Sequence, residues 1–291
     1  MLAALLRGIA DLERPEDVEV VTVVVDNDCE RSAEAVATAA RPDHPWELRY
    51  VTERHRNISK ARNTAVRTAG DVDFVAFVDD DEVPDPRWLT ELIRVQGSTR
   101  APIVVGPVEP IFDEPPPGWV RRGRFFEAPR FSDLQPVHYA YTSNVLITSA
   151  VLGEFDPPFD ERFGLSGGED NHFFLRARLS GHGIVWADRA VVRETVSSTR
   201  TTVRWLVRRE YRRGATLSQC LRELRDSPGR RLRRGVHGAL RIGQGTGWIV
   251  LTAVGGRAAL VRGLRWTAFG LGLMVGLTGR NIHEYAVTDG R

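Results

Sequence analysis

Apolar and polar positions change their period repeatedly over the first two hundred residues. Residues 18–25 are apolar apart from Glu19 and Thr22 and stop at Asp26-Asn27-Asp28, which predicts a buried strand. The alanine-rich stretch 30–40 predicts a helix that Pro42 and Pro45 break. Residues 47–51 predict a short strand, 59–69 a helix stopped by Gly70, Phe74–Val78 a buried strand, and 86–95 a helix with proline at its start. Residues 103–108 and 141–148 predict two further strands. Gly167-Gly168-Glu169-Asp170 opens a helix that runs through Leu179 and ends at Gly181. Ile184–Trp186 and residues 190–192 read as short strands. Strands alternating with helices predict an α/β fold, a mainly parallel sheet with helices on both faces.

Two stretches depart from that pattern. Residues 110–136 carry Pro115-Pro116-Pro117-Gly118 and then Trp119, Arg121, Arg122, Arg124, Phe125 and Phe126. A loop of this length in a compact domain is usually functional or mobile. After Thr201 the composition shifts. Residues 204–241 are Arg-rich and helical, with Trp205, Leu206, Tyr211, Leu217 and Leu221 as apolar positions; residues 248–279 are largely apolar, punctuated by Arg257, Arg262 and Arg265. The longest uncharged run, 266–279, is shorter than the ~20 residues a spanning helix needs. The chain is expected to divide into a domain at 1–200 and a helical region at 201–291.

Composition narrows the picture further. With 291 residues and 42% hydrophobic content the chain can bury a core of one large domain with an appendage. A net charge of +2 gives no bulk argument for nucleic acid, and no recognition motif accompanies the arginines. Lys60 is the sole lysine, a composition bias and not a binding signal. Cys29 and Cys220 match no metal or redox spacing, which fits a reduced, cytosolic setting. The opening apolar stretch is interrupted by Arg7 and lacks a small-residue cleavage site, so it is a poor signal peptide.

The most informative chemistry is the run Asp79-Asp80-Asp81-Glu82, which follows a core strand and precedes Pro84 and Pro86. Carboxylates gathered there repel one another and are costly to desolvate. A divalent metal carrying a phosphate would offset both costs, and ligands of open α/β sheets bind at that end of the strands. A solvated acidic turn at the N-terminus of the next helix explains the run equally well when it is taken alone. In the second constellation, Gly167-Gly168-Glu169-Asp170, two glycines admit a close backbone approach and a carboxylate in the first helical turn could act as a base. Ordinary helix capping accounts for one acid there but less well for two acids and two glycines. In the third, Asn57-Ile58-Ser59-Lys60-Ala61-Arg62-Asn63, Arg62 and Asn63 could reach a nucleotide or brace the acidic turn; local evidence favours plain surface polarity.

Taken together and in this order, Asp26-Asn27 after a strand, Ala61-Arg62-Asn63, the tract FVDDDE and the tract GGED resemble a family 2 glycosyltransferase of the GT-A type. The tract FDERFGLSGGEDNHFFLRARLSGHGIVWADRAVVRE resembles bacterial ExoM-like members that build exopolysaccharide and other cell-surface glycans. The similarity covers residues 1–215. It implies a nucleotide-diphospho-sugar transferase fold with a Rossmann-like sheet; the C-terminal helical appendage is expected to be membrane-associated because its uncharged runs are hydrophobic all round. The resemblance implies a nucleotide-sugar donor, a UDP-sugar first, and transfer with inversion to a glycan or lipid-linked acceptor. On it, Asp26 and Asn27 fall where the base binds, although a second Asp is usual where Asn27 stands. Asp79 falls near the ribose, Asp80 at the variable middle position, and Asp81 at the metal ligand, for Mg²⁺ or Mn²⁺. Arg62, Asn63, Asn144, Gly167 and Gly168 fall on the nucleotide-sugar side. Asp170 matches the catalytic base and Glu169 a residue that orients sugar or acceptor. Glu194 is a candidate third metal ligand or a strand-end charge, and His172 a packing or acceptor-side residue.

The resemblance also sets expectations for the ends of the chain. The family's first strand, central between the strands at 18–25 and 74–78, has no counterpart; Met1-Leu2-Ala3-Ala4-Leu5-Leu6 resembles the helix that follows it. Its loss would leave two open edges and an apolar slot, and the native protein is expected to be longer. The C-terminal arginines (Arg208, Arg209, Arg212, Arg213, then Arg230, Arg231, Arg233, Arg234) suit anionic headgroups at the inner face of the cell membrane, or else the solvated face of a helical cap. Competing functions are an inactive membrane-associated binding or assembly protein and a nucleotidyltransferase.

Overall fold

A computed structural model describes residues 1–165 and 167–278. The chain divides into two compact units, one of Met1–Glu109 with Ala128–Glu194, the other of Pro110–Glu127 with the described residues from Thr195 on. The segment 110–127 therefore groups with the C-terminal helices and not with the α/β domain in which the sequence put it. The reason is apolar packing: Trp119, Val120 and Phe125 are buried against Leu206 and Val261.

In the first unit the order is α1 (Leu2–Ala10), β1 (Val21–Asp26), α2 (Glu34–Ala40), β2 (Glu47–Thr52), α3 (Ile58–Ala69), β3 (Phe74–Val78), β4 (Glu82–Pro84), α4 (Trp88–Thr99) and β5 (Ile103–Val105). β6 (Val108–Phe112) follows; α5 (Gly118–Gly123) belongs to the second unit; the first then continues with β7 (Pro136–Val137), β8 (Asn144–Thr148), α6 (Ser149–Gly153), α7 (Glu169–Leu179), β9 (Ile184–Trp186) and β10 (Val192–Val196). β1 and β2 form a parallel pair, Val21 opposite Glu47 through Asp26 opposite Thr52. A separate five-stranded sheet has the order β3-β8-β5-β9-β7. The α/β class holds, and the larger sheet is mixed: β8 runs antiparallel to both β3 and β5, while β5 and β9 are parallel. Among the described residues, β1 and β3 are each paired on one side only.

Side-chain alternation along the central strands builds two cores. Ile103, Val105, Val145 and Ile147 share one cluster with Phe159, Phe173 and Phe174. Val104 and Leu146, the residues between them, join Trp88, Leu92 and Val95 of α4. Phe173 is fully buried, so its truncation to alanine should cost about 3–5 kcal/mol. The strand expected at 103–108 breaks at Gly106-Pro107. A Cβ at Gly106 would lie 2.2 Å from the Ala190 carbonyl oxygen, so only glycine lets the two backbones meet. β4 was read as part of a turn; it is a strand because it pairs antiparallel with β10, Glu82 opposite Glu194, a partner no three-residue pattern announces.

The second unit contains α8 (Val203–Arg225), α9 (Pro228–Val250) and α10 (Thr252–Leu277). The helical stretch expected over 204–241 holds parts of two helices, divided where the Ser227 hydroxyl accepts the Arg230 N–H and Pro228 starts the next helix. α10 is 26 residues long and is the one described helix long and apolar enough to cross a membrane. Gly279, at the end of the expected apolar run, lies outside the described residues.

Candidate functional site

The site lies wholly in the first unit, where β3 delivers the acidic turn and α3 and α7 deliver the groups that meet it. The turn is held from below. The Asp79 N–H donates to Glu82 Oε2 at 2.9 Å, and the Glu82 N–H donates to the Asp79 carbonyl at 3.2 Å. Glu82 is buried, which with the charges of Asp79, Asp81 and Glu194 pushes its carboxyl up to about 10. A neutral Glu82 at ordinary pH avoids one more buried negative charge in the turn.

α7 begins where the chain takes two left-handed steps, Gly167 at φ 75° and Gly168 at φ 94°. Both positions favour glycine for that reason. The turn sets Glu169 and Asp170 in the first turn of the helix. From α3, Arg62 reaches both acidic elements: its guanidinium is ion-paired with Glu169 and lies 3.5 Å from Asp79 Oδ1. α3 is itself well capped, the Asn57 side chain accepting the Lys60 N–H at 3.0 Å.

The electrostatics follow from one arginine among several acids. Asp79 keeps 44% of its side-chain surface accessible, yet it sits in an acid-lined recess. Removal from bulk water, with the charges of Asp81, Asp170 and Asp80, raises its pKa against the pull of Arg62. Asp170 is raised by burial too, opposed by Arg62 and by the Asn171 N–H, which donates to Asp170 Oδ1 at 2.6 Å. Glu169 is almost fully buried, and its Oε2 has no hydrogen-bond partner. Hard carboxylate oxygens in excess, with one buried acceptor atom left over, are a donor set that fits Mg²⁺ or Mn²⁺. Of the residues the sequence offers for such an ion, Asp79 and Asp81 lie in the acidic turn and Glu194 lies opposite Glu82 on β10.

Three expected ligand contacts are occupied by the protein instead. Asn63 is buried, its amide donating to the Phe159 carbonyl at 2.8 Å and accepting the Phe159 N–H at 2.9 Å. Asn144, placed on the sugar pocket by the sequence, is 1% exposed; it accepts from Trp88 Nε1 at 2.8 Å and donates to the carbonyls of Pro107 and Ala190. Asn27 donates to the carbonyls of Glu53 and His55 and accepts the Asn57 N–H, which clamps the end of β1 to the start of α3. Each amide meets the backbone of a segment distant in sequence, so each holds the site's frame. Asp26 is buried at the end of β1. It accepts from the Tyr50 hydroxyl and from the N–H groups of Ala33 and Asp28, so its carboxylate shapes the loop after β1.

His172 is a packing residue. Its ring stacks on Phe163 with centroids 4.7 Å apart, and burial, with Arg176 and Arg162 nearby, lowers its pKa to about 4. In the sequence, Glu82 stands out only as the last member of the acidic run, without a role, and Tyr50 not at all. Glu82 carried a usable signal, an acid continuing an acidic run into Pro84, but Tyr50 carried none.

The model of the family described as glycosyltransferase like family 2 matches residues 1–216. The succinoglycan biosynthesis protein ExoM of Rhizobium meliloti (strain 1021) is 35% identical over 222 residues, which cover 76% of this chain and 72% of that protein. Among solved structures, S. aureus TarS 1–349 in complex with UDP superposes with a TM-score of 0.52 at 16% identity, covering 96% of this chain and 88% of that one. The same protein in complex with UDP-GlcNAc gives a TM-score of 0.52 over 91% of this chain and 85% of that one. At such identity the TarS likeness establishes the GT-A fold.

Proposed function

The chain belongs to the glycosyltransferase like family 2 and is a glycosyltransferase, and from that membership we propose an inverting, metal-dependent enzyme of cell-surface polysaccharide synthesis. It moves a sugar from a nucleotide-sugar donor to a glycan or lipid-linked acceptor. The UDP and UDP-GlcNAc in the TarS structures support a UDP-sugar as donor, and the ExoM likeness supports an exopolysaccharide product. A cytoplasmic enzyme at the inner face of the membrane would meet both substrates.

One observation carries the reading: Arg62 joins Asp79 of the acidic turn to Glu169 of the helix that bears Asp170. The donor side and the base side thus share one charged link. Asp170 takes the proton of the acceptor hydroxyl; its raised proton affinity suits it to that task. The acceptor oxygen bonds to the anomeric carbon as the bond to the diphosphate oxygen breaks, and the nucleoside diphosphate leaves. Arg62 keeps Glu169 oriented towards sugar or acceptor. Asp79, Asp81 and Glu194 would hold Mg²⁺ or Mn²⁺, which when bound stabilises charge on the diphosphate.

The test is turnover by the purified full chain with a panel of nucleotide sugars, with and without Mn²⁺, scored by released nucleotide and by the anomeric configuration of the product. Nucleoside diphosphate with an inverted product is expected. Pyrophosphate would make it a nucleotidyltransferase, a retained configuration would end the inverting mechanism, and turnover in EDTA would end the metal requirement.

A further inference from the structure

Every charged side chain from Pro228 to Thr278 is an arginine. Acids at the end and in the middle of α8 answer some of them, Asp226 pairing with Arg231 and Arg234, and Glu210 with Arg265. The rest of this basic surface has no acid within its own stretch of chain.

α9 is amphipathic: Ile242 and Ile249 lie against α10, but a second set of large apolar residues points away from its neighbours. Its buried positions are Arg234, Gly238 and Gly245. Leu232, Val236 and Leu240 are 70%, 51% and 61% exposed, and their i, i+4 spacing puts them in one row. Gly243 and Gly247 continue that side of the helix to Val250, 74% exposed, and Val254, just beyond α9, is 91% exposed. On the inner face, beside Ile242 and Ile249, glycines bring the backbones together: a Cβ at Gly245 would stand 2.6 Å from the Gly263 carbonyl oxygen, and one at Gly238 3.0 Å from that of Gly270. Backbone-to-backbone contact inside with Leu and Val outside is the distribution that lipid, not water, rewards.

Charge and aromatic chemistry complete the face. Arg230, Arg231 and Arg233 stand exposed at the start of the row. Near its other end a groove of ≈ 570 Å³ is lined by Arg241, Arg262, Trp248 and Trp266 among others, with Arg262 over Trp248 at 4.7 Å and Arg241 over Trp266 at 4.3 Å. Tryptophan with arginine is the pairing favoured at the headgroup level of a bilayer.

We propose that this face of α9 docks the protein on a bilayer rich in anionic lipid, the helix lying in the plane of the interface with Leu232, Val236, Leu240 and Val250 among the acyl chains. The inference rests on the reading of the enzyme as one that meets a lipid-linked acceptor at the membrane, and it assigns the contact to one surface.

The full chain is sedimented with phosphatidylcholine vesicles, with and without phosphatidylglycerol, beside the variant Leu232→Glu/Val236→Glu/Leu240→Glu and the variant Arg230→Gln/Arg233→Gln. The wild type should bind phosphatidylglycerol vesicles at least tenfold more tightly than neutral ones, with affinity falling as salt rises. The acidic triple variant should lose at least tenfold in binding, and the arginine variant should lose part of it and part of the salt dependence. Equal binding by the triple variant, or no preference for anionic lipid, overturns the proposal. So does a concentration-dependent dimer in light scattering that the triple variant abolishes in the absence of vesicle binding. Nucleotide-sugar binding, measured on the same samples by calorimetry, stays unchanged in the triple variant if it is folded. Lost vesicle binding with intact donor binding thus separates failure of this surface from failure of the enzyme assignment.

Discussion

The guanidinium of Arg62, on α3, is ion-paired with the carboxylate of Glu169, 107 residues further along at the start of α7. Both side chains are largely shielded from water, and the same guanidinium lies 3.5 Å from Asp79. One cation therefore fixes the distance between the acidic turn and the helix carrying Asp170. It is also the counter-charge that limits how far the neighbouring acids repel one another.

Removing that cation should be expensive. Arg62→Met leaves Glu169 buried and uncompensated, and unfolding by denaturant should report a loss of about 3–5 kcal/mol. Adding Glu169→Gln should return part of the loss, because the orphaned charge is gone; an additive double variant would show that the pair is not coupled.

Asp170→Asn keeps the size of the side chain and an oxygen to accept the Asn171 N–H but cannot act as a base. Turnover should fall by about 10²–10⁴-fold, while calorimetric donor binding stays within twofold. A variant that retains transfer would remove Asp170 from the base role.

Asp81→Asn takes away one hard donor. Donor binding in Mn²⁺ should weaken by about tenfold or more, and Mn²⁺ dependence should shift to higher concentration. EDTA should lower donor binding by the wild type to the level of the variant. Equal Mn²⁺ titrations for the two proteins would take Asp81 out of the metal site.

Glu82 is a test of position and not of charge. Glu82→Gln retains an oxygen to accept the Asp79 N–H and should keep most of the activity. Glu82→Ala leaves that N–H without its partner and should raise KM for the donor more than it lowers kcat. The two variants behaving alike would deny Glu82 a part in shaping the turn.

His172 gives the acid limb of stability. Burial against Phe163 lowers its pKa to about 4 in the folded protein, from about 6.5 for an exposed histidine. Between those values the unfolded chain binds the extra proton, so stability is lost as pH falls from about 6.5 towards 4. His172→Phe, which keeps an aromatic partner for Phe163, should flatten the melting temperature over that range. An unchanged pH profile would place the acid sensitivity elsewhere.

The sequence alone carried the alternation of strands and helices, the shift in composition after Thr201 and the acidic runs. These are carried by signals within a few residues of one another: period in the side-chain pattern, glycine and proline punctuation, and runs of like charge. It reached the order of the motifs, and through that order the family. It overran at residues 103–108 and 204–241, where apolar or helical character continues across a break caused by Gly106 or Ser227-Pro228.

Only the tertiary structure decided how the polar side chains are used. Asn27, Asn63 and Asn144 look alike in the sequence as candidates for a ligand, yet each meets the backbone of a segment far along the chain. Arg62 looks like surface polarity and becomes the link between two acidic elements. Glu82 became a strand residue because β10 pairs with β4, and Leu232, Val236 and Leu240 became an outward apolar row because glycines fill the inner face of α9. The physical reason is the same in each case. Hydrogen-bond capacity, burial and charge pairing depend on neighbours brought together by folding, and residue spacing along the chain carries no record of them.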